Sequence, residues 1–237
     1  MYLKTIEEGG LVMSDKISVI IRSKNEARWI GHTIQSVLDF LNKPEIIIVD
    51  NNSNDETANI VRYFKQDPLL HDKKNKQYTD IKIYKIDDYT PGKALNIGVK
   101  KAKNPYVIII SAHCVLKKIK LTKHLKDLKK HVCVFGNNIP IWNGKKITKR
   151  YIWSHFVNKE VVNMYSDMEK RYFIHNSIAI YDRKYLSKNP FDEYLQGKED
   201  RYWANNIIKK RKSFLYDPTL EVDHHYTEKG NTWKGIG

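Results

Sequence analysis

Four short runs of β-branched and aliphatic residues recur within the first 110 positions, each followed by turn chemistry or by a stretch with helical spacing. This alternation restricts the fold more than any other feature of the chain, because regular strand–helix repetition leads to an open sheet built from crossover units. The first run, residues 17–21 (ISVII), ends at polar residues and reads as a buried strand. Ile30, Ile34, Val37, Leu38 and Leu41 then mark one face of a helix over 29–41. Residues 46–49 form a second strand that stops at Asp50, and 51–55 carry turn residues. Asp55 and Glu56 sit where a helix N-terminus favours acids, and Ala58, Val61 and Phe64 continue that helix. Residues 81–86 alternate apolar and polar as a third strand. Pro91 and Gly92 punctuate the chain before a helix over 93–102. Residues 106–110 are apolar throughout, which predicts a fourth strand covered on both faces. The expected fold is α/β: an open, mostly parallel sheet flanked by helices.

In such sheets ligands sit outside the carboxyl ends of the strands, so the residues that follow each strand matter most. Arg22, Ser23, Asn25 and Glu26 follow the first, Asp50, Asn51 and Asn52 the second, and Ser111, Ala112 and His113 the fourth. All are brought to one rim, predicting a polar cleft tolerant of phosphate. Neither G-x-G-x-x-G after the first strand nor G-x-x-x-x-G-K-[ST] anywhere is present, which disfavours a dinucleotide dehydrogenase or a P-loop enzyme.

The second half is less regular. Leu121, Leu125, Leu128 and Val132 predict a Lys-rich amphipathic helix, 132–135 a strand, and Asn143-Gly144 a hairpin turn. Residues 178–181 read as a strand and 199–208 as a helix with Trp203, Ile207 and Ile208 on its apolar side. Without a repeat or a linker, residues 16–237 are expected to be one domain. Residues 1–15, with Glu7 and Glu8 and no apolar core, read as a mobile lead-in and not as a secretory signal.

Forty-two Lys and Arg against 27 Asp and Glu give a formal charge of +15 in 237 residues. That balance favours anionic partners without choosing among them, and an AT-rich genome would also raise the Lys, Asn, Ile and Tyr content. No nucleic-acid motif accompanies the charge and Lys is scattered, so no nucleic-acid partner is expected. No apolar run approaches the roughly 20 residues of a membrane span. Cys114 and Cys133 are too few for a disulfide framework and fit a reducing compartment. A cytoplasmic chain, peripheral at the inner membrane face, is the expectation.

Four stretches carry a resemblance: ISVIIRSKNEARWIGHTIQSVL, PEIIIVDNNSNDET, PGKALNIGVKKAKNPYVIIIS and QGKEDRYWANNIIKKRKSFLYDP. Their order and spacing over roughly residues 17–225 resemble a family 2 glycosyltransferase with the Rossmann-like GT-A fold. The resemblance implies transfer of a sugar from a nucleotide-sugar donor, with inversion, to a glycan, glycolipid or glycoprotein acceptor in cell-surface polysaccharide synthesis. It places Asp50 on the nucleoside, with Asn52 beside it. It lines the donor pocket with Arg22, Ser23, Asn25, Glu26 and Ser111, and brings Lys93 and Asn96 to the donor. Asp200 becomes the catalytic base, with Glu199 beside it, so the resemblance makes 16–115 the nucleotide-binding half and 116–237 the acceptor-binding and catalytic half of the domain. The chemistry agrees: displacing a nucleoside diphosphate needs a base on the incoming hydroxyl and positive charge on the departing phosphates. Plainer roles compete: helix capping for Glu199 and Asp200, an Asx turn for Asp50, and a solvated helix start for Lys93.

One departure is clear. Where the family ends its fourth strand with D-x-D, this chain has Ser111-Ala112-His113. His113 can take the final metal position, with His224 or His225 as a second ligand; an extended adjacent pair points to opposite sides, so only one of the two can serve. Imidazole suits Mn²⁺ better than Mg²⁺. The expectation is therefore either a divalent metal of the Mn²⁺ kind or a metal-free site neutralised by Arg22, Lys93 and nearby cations. The missing D-x-D also keeps open an inactive member that binds nucleotide-sugar or glycan. Lysines between 117 and 130 are either a solvated helix face or an approach to an anionic membrane carrying a lipid-linked acceptor. Trp142, Tyr151, Trp153, Tyr165, Tyr172 and Phe173 are either core or sugar-stacking residues.

Overall fold

The computed structural model of the chain describes residues 16–67, 71–72, 77–228 and 233; the expected lead-in, 1–15, lies outside them. The alternation of the first half becomes β1 (Ile17–Ser23), α1 (Ile30–Phe40), β2 (Glu45–Asp50), α2 (Thr57–Gln66), β3 (Ile81–Lys85), α3 (Pro91–Lys101) and β4 (Tyr106–Ser111). β1 pairs in parallel with both β2 and β4, and β2 in parallel with β3. Successive side chains of each strand enter opposite layers. Ile20, Ile47, Val49 and Ile109 pack under Leu95 and Val99 of α3. Val19, Ile21, Ile46, Ile48 and Ile110 pack under Ile30, Ile34 and Val37 of α1. Each such fully buried aliphatic side chain contributes roughly 1.5–3 kcal/mol, and both faces of β4 are covered as its sequence predicts.

Pro91 and Gly92 do not break the chain but open α3. Pro fits the first helical turn, where its missing N–H has no partner to lose, and Thr90 Oγ1 accepts from Lys93 N as the cap. Asp55 and Glu56 lie just before α2, where Asp55 Oδ1 accepts from Thr57 N.

The second half departs further from expectation. The Lys-rich segment is not one helix. Lys117 and Lys118 belong to β5 (Cys114–Lys118), and only α4 (Leu121–Asp127) is helical. β5 exists because a partner strand, β8 (Leu215–His225), lies antiparallel beside it, a long-range pairing that local spacing does not encode. The short strand expected at 132–135 runs on as β6 (Cys133–Trp142). At its end Trp142 pairs with Lys145 across the Asn143-Gly144 turn, with φ of 48° and 75° at the two central residues. β7 (Ile178–Asp182), α5 (Arg183–Lys188) and α6 (Glu199–Lys209) complete the chain order before β8.

The ten-stranded sheet runs Val161–Val162, β8, β6, β7, β4, β1, β2, β3, with β5 added on β8 and Lys145–Lys146 on β6. β7 is antiparallel to β4 and to β6, and β8 is parallel to β6. The sheet is therefore mixed but mostly parallel, a single layered domain with helices on its faces. Trp153 and Phe173 are core, whereas Trp142, Tyr151 and Tyr165 are exposed and Tyr172 half-buried. Both cysteines are free and buried. No helix of the described residues is long and apolar enough to cross a membrane.

Candidate active site

The carboxyl ends of β1 and β4 open onto a cleft of about 990 Å³, at the upper end of small-molecule sites of about 300–1,000 Å³. Arg22, Ser23, Asn25, Glu26, Ser111, His113, Glu199 and Asp200 line it, so eight of the sequence-predicted residues meet in one place.

The loops after β1 and β2 are laced to each other by hydrogen bonds. Asp50, at the end of β2 and only 1% exposed, accepts from Ser23 Oγ at 2.8 Å, Ser53 Oγ at 2.6 Å and Ser53 N at 2.9 Å. Asn25, with φ of 53°, accepts from Asn54 N through Oδ1, and Glu26 N donates to Thr57 Oγ1. Asp50 thus braces the floor from behind the lining. Asn52 also stands outside the lining: its Nδ2 donates to Ile86 O and Asp87 Oδ1. Lys93 pairs with exposed Asp88 at 2.7 Å, and Asn96 clasps the 191–193 segment by donating to Phe191 O and Glu193 Oε1 while accepting from Phe191 N. Neither Lys93 nor Asn96 lines the cleft.

The opposite wall begins at α6. Lys198, in the left-handed region at φ 60°, turns the chain so that α6 starts with Glu199 and Asp200 facing the cleft. Arg22 Nη1 reaches Glu199 Oε1 at 2.7 Å. Burial opposes the Arg22 charge, but Glu199, Tyr89 and Asp200 outweigh it and hold the guanidinium more firmly protonated than usual. Asp200 accepts from Asn176 N at 3.0 Å, Arg201 N at 2.9 Å and Arg201 Nη1 at 2.7 Å. Lys198 does not join it but lies 3.6 Å from Glu169. The Arg201 guanidinium lies 4.3 Å from the Phe173 ring centroid.

At the inner end, His113 Nδ1 lies 2.8 Å from Glu26 Oε1 and its Nε2 lies 3.2 Å from Nε2 of His224, whose Nδ1 meets Asn138 Oδ1 at 2.9 Å. Burial first, then His113 and His175, push the His224 imidazole well below its usual range, which keeps it neutral. His225 turns the other way on the extended β8. It stacks on Trp29 at 3.9 Å and, mainly through burial, titrates at about 4. His113 and His224 are the two residues here that could hold a metal. Two imidazole Nε2 atoms 3.2 Å apart have a separation open to two ligands of one ion, each about 2.0–2.1 Å from it. Glu26 and Asn138 occupy the second ring nitrogens, as partners of metal-bound histidines do. Among the described residues no group of three or more His, Cys, Asp or Glu side chains is arranged to hold a metal, so an ion here would complete its shell from substrate and water.

Several cleft residues escaped the sequence reading: Trp29, Glu169, His175, Asn176, Ser177, Arg201 and Tyr226. Looking only at carboxyl ends hid His175-Asn176-Ser177. They precede β7, and because β7 runs antiparallel to β4 its amino end lies at the same rim, where Ser177 O accepts from Ser111 N. Asn176 is 1% exposed and accepts from Tyr181 Oη at 2.6 Å. A polar trio directly before a short apolar run was the available signal.

Comparison with known proteins is consistent with this geometry. Residues 18–189 match the family described as "Glycosyl transferase family 2". The poly-β-1,6-N-acetyl-D-glucosamine synthase of Staphylococcus epidermidis is 31% identical over 116 residues, covering 48% of this chain and 26% of that protein. The chain spans about a quarter or less of the curated relatives it matches. Among solved structures, S. aureus TarS 1-349 in complex with UDP-GlcNAc aligns with a TM-score of 0.67 at 19% identity, over 93% of this chain and 61% of that one. The mannosyltransferase PcManGT from Pyrobaculum calidifontis in complex with GDP-Man and Mn²⁺ aligns with a TM-score of 0.65 at 18% identity, over 91% and 58%.

Proposed function

The chain belongs to glycosyl transferase family 2, and from that premise we propose that it moves a sugar from a nucleotide-sugar donor to a hydroxyl of a glycan, glycolipid or glycoprotein, as a step in building a cell-surface polysaccharide. One observation carries this reading: the Arg22–Glu199 bond of 2.7 Å draws the first rim loop and the acidic start of α6 onto one cleft. The similarity to a polysaccharide synthase and the nucleotide sugars in two fold neighbours support it.

In the proposed reaction the acceptor hydroxyl attacks the anomeric carbon as the bond to the diphosphate breaks on the opposite face, inverting that centre. Asp200 takes the hydroxyl proton, and Glu199 holds Arg22 in the cleft. Arg22 and Lys24, a cleft residue whose Nζ donates to Asn51 O and Asn52 O, present positive charge to the departing diphosphate. Ser23, Asn25 and the brace of Asp50 shape the nucleoside end. From outside the cleft, Asn52 ties its loop to Ile86 and Asp87, Lys93 pairs with Asp88, and Asn96 holds the 191–193 segment. A divalent ion of the Mn²⁺ kind would be held by His113 and His224 and would supply charge against the leaving group; His225, stacked on Trp29, would not ligate it.

A second reading has its own observation. Asp200 already accepts three hydrogen bonds, two of them on Oδ2, an engaged carboxylate that suits a member that binds nucleotide-sugar or glycan without turnover. Thermal melting of the chain with UDP, GDP, CDP, CMP or dTDP, each with Mn²⁺, Mg²⁺ or EDTA, tests the proposal. A ligand at 100 times its Kd stabilises by about 2.7 kcal/mol. One nucleotide stabilising only with Mn²⁺ supports the His113–His224 site, and stabilisation surviving EDTA supports the cationic site. No response to any nucleotide overturns the donor reading.

A further inference from the structure

The Asn143-Gly144 hairpin does nothing for the cleft chemistry, yet it presents an unusual surface. Trp142, 49% exposed, flanks the turn beside its cross-strand partner Lys145, and Lys146 follows. Both lysines are exposed, and among the described residues neither lies within ion-pair distance of an acid, though Lys146 acts electrostatically on Asp223. Lys146 helps depress the Lys149 ammonium below its usual range, after the larger effect of burial, so the cations are close enough to repel. Exposed Arg150 and Tyr151 come next in the chain. The neighbouring acids are largely answered: Glu221 pairs with Lys118 at 2.8 Å, and Asp223 faces Lys117 at 3.7 Å. The surface is thus cationic and tipped with an indole.

We propose that this hairpin docks the protein on an anionic lipid surface. Trp and Tyr settle at the water–lipid boundary, and cations beside them are drawn to anionic headgroups. Exposed lysines beside projecting aromatics fit such a layer better than they fit nucleic acid, for which a basic stripe along one face is the usual footprint. The position is also apt. Ile141, next to Trp142, accepts from Tyr226 N through its carbonyl, and Tyr226 lines the cleft. Docking here sets the cleft mouth beside the membrane, where a lipid-linked acceptor is carried. That consequence rests on the transferase reading; the docking itself does not. The contact moves from the Lys-rich helix expected from sequence to the hairpin.

Co-sedimentation of the full chain with phosphatidylcholine vesicles, with and without phosphatidylglycerol, tests this. Binding is expected only to the anionic vesicles, weakened by salt. Each cation near the surface is worth about fivefold in affinity, so Lys145→Glu/Lys146→Glu should reduce binding at least ~25-fold. Trp142→Ala should remove most of the quenching of tryptophan fluorescence by brominated lipid, because Trp153, Trp203 and Trp233 are buried and half-buried Trp29 is stacked on His225. Nucleotide-dependent melting of both variants without vesicles should match the parent, which also separates failure of docking from failure of the transferase reading. Equal binding to neutral vesicles, or anionic binding that the variants leave unchanged, overturns the proposal. So does failure to bind any vesicle alongside tight binding of an oligonucleotide that the Lys variants abolish.

Discussion

Ser23, Asp50 and Ser53 bond to one another across sequence separations of 27 and 3 residues, whereas Arg22, the neighbour of Ser23, reaches Glu199 across 177. The same contrast separates the two sides of the cleft. One rim is made of loops that fix themselves: Asn25 with Asn54, Glu26 with Thr57, Asp50 with its two serines. The other is an assembly of distant pieces, His113 with His224 over 111 residues and Ser111 with Ser177, which belongs to another strand. A self-fixed loop keeps its shape when its neighbour is altered. An assembled wall depends on every strand being in place, so changes there should be both more damaging and more strongly coupled.

Asp200→Asn tests the assembled side most severely. If Asp200 is the base, turnover should fall about 10²–10⁴-fold while nucleotide-dependent stabilisation persists. An equal loss of nucleotide binding would make Asp200 a structural residue, and measurable transfer at the parental rate would remove it from the chemistry. Arg22→Met probes the bridge between the two sides. It leaves Glu199, 3% exposed, without its cation, and breaking such a pair costs up to about 3 kcal/mol where one partner is partly open to solvent. Arg22→Met/Glu199→Leu should recover most of that stability and none of the activity. If the double variant melts as low as the single one, the contrast between the sides is not electrostatic.

Gly136→Ala carries the comparison into packing. A Cβ there would sit 2.3 Å from Leu220 O, on the backbone of β8, which has little room to move. Gly98→Ala would meet Ile20 Cγ2 at 2.5 Å, a side-chain contact in the self-fixed half, and gains up to about 1 kcal/mol of helix propensity. We expect losses of about 3 and about 1–2 kcal/mol, respectively. At about 2–4 °C per kcal/mol, calorimetry distinguishes them easily, and an equal or reversed order would refute the claim that the second half is the less forgiving.

The same contrast explains what could be read from the chain. β1, β2 and β4 are buried on both faces by helices next to them in sequence, so local hydrophobicity and spacing found them, and with them the rim residues Arg22 to Glu26. Lys117 and Lys118 looked helical because their lysines merge with those of α4. Only the β8 partner, about a hundred residues away, makes them a strand. Asp50 was recognised as a rim residue, but its burial under Ser23 and Ser53 requires the loop conformation. The pairing of His113 with His224 in preference to His225 follows from strand alternation once β8 is known to be extended.

Acid titration sharpens the comparison by the smallest increment. His175 and His224 are held neutral chiefly by burial, with Arg201 and Arg22 adding to the effect at His175 and His113 at His224. His225 follows at about 4. All three belong to the assembled side. A histidine whose folded pKa lies below the unfolded value of about 6.5 leaves the unfolded chain binding more protons between the two. Stability is therefore full above about pH 6.5 and falls as the pH drops toward the folded values. For one fully buried group the loss at pH 5.5 is about 1.4 kcal/mol. Asp217, held low against its burial by His124, Lys123 and Thr219, works in the same direction only below about pH 4, the unfolded carboxylate range. Melting temperatures from pH 7 to 5 should consequently decline, and His175→Gln should flatten that decline without touching the acid limb below pH 4. A parent chain that melts at the same temperature from pH 7 to 5 would mean that these imidazoles reach solvent, and that the wall they form is as self-sufficient as the loops opposite.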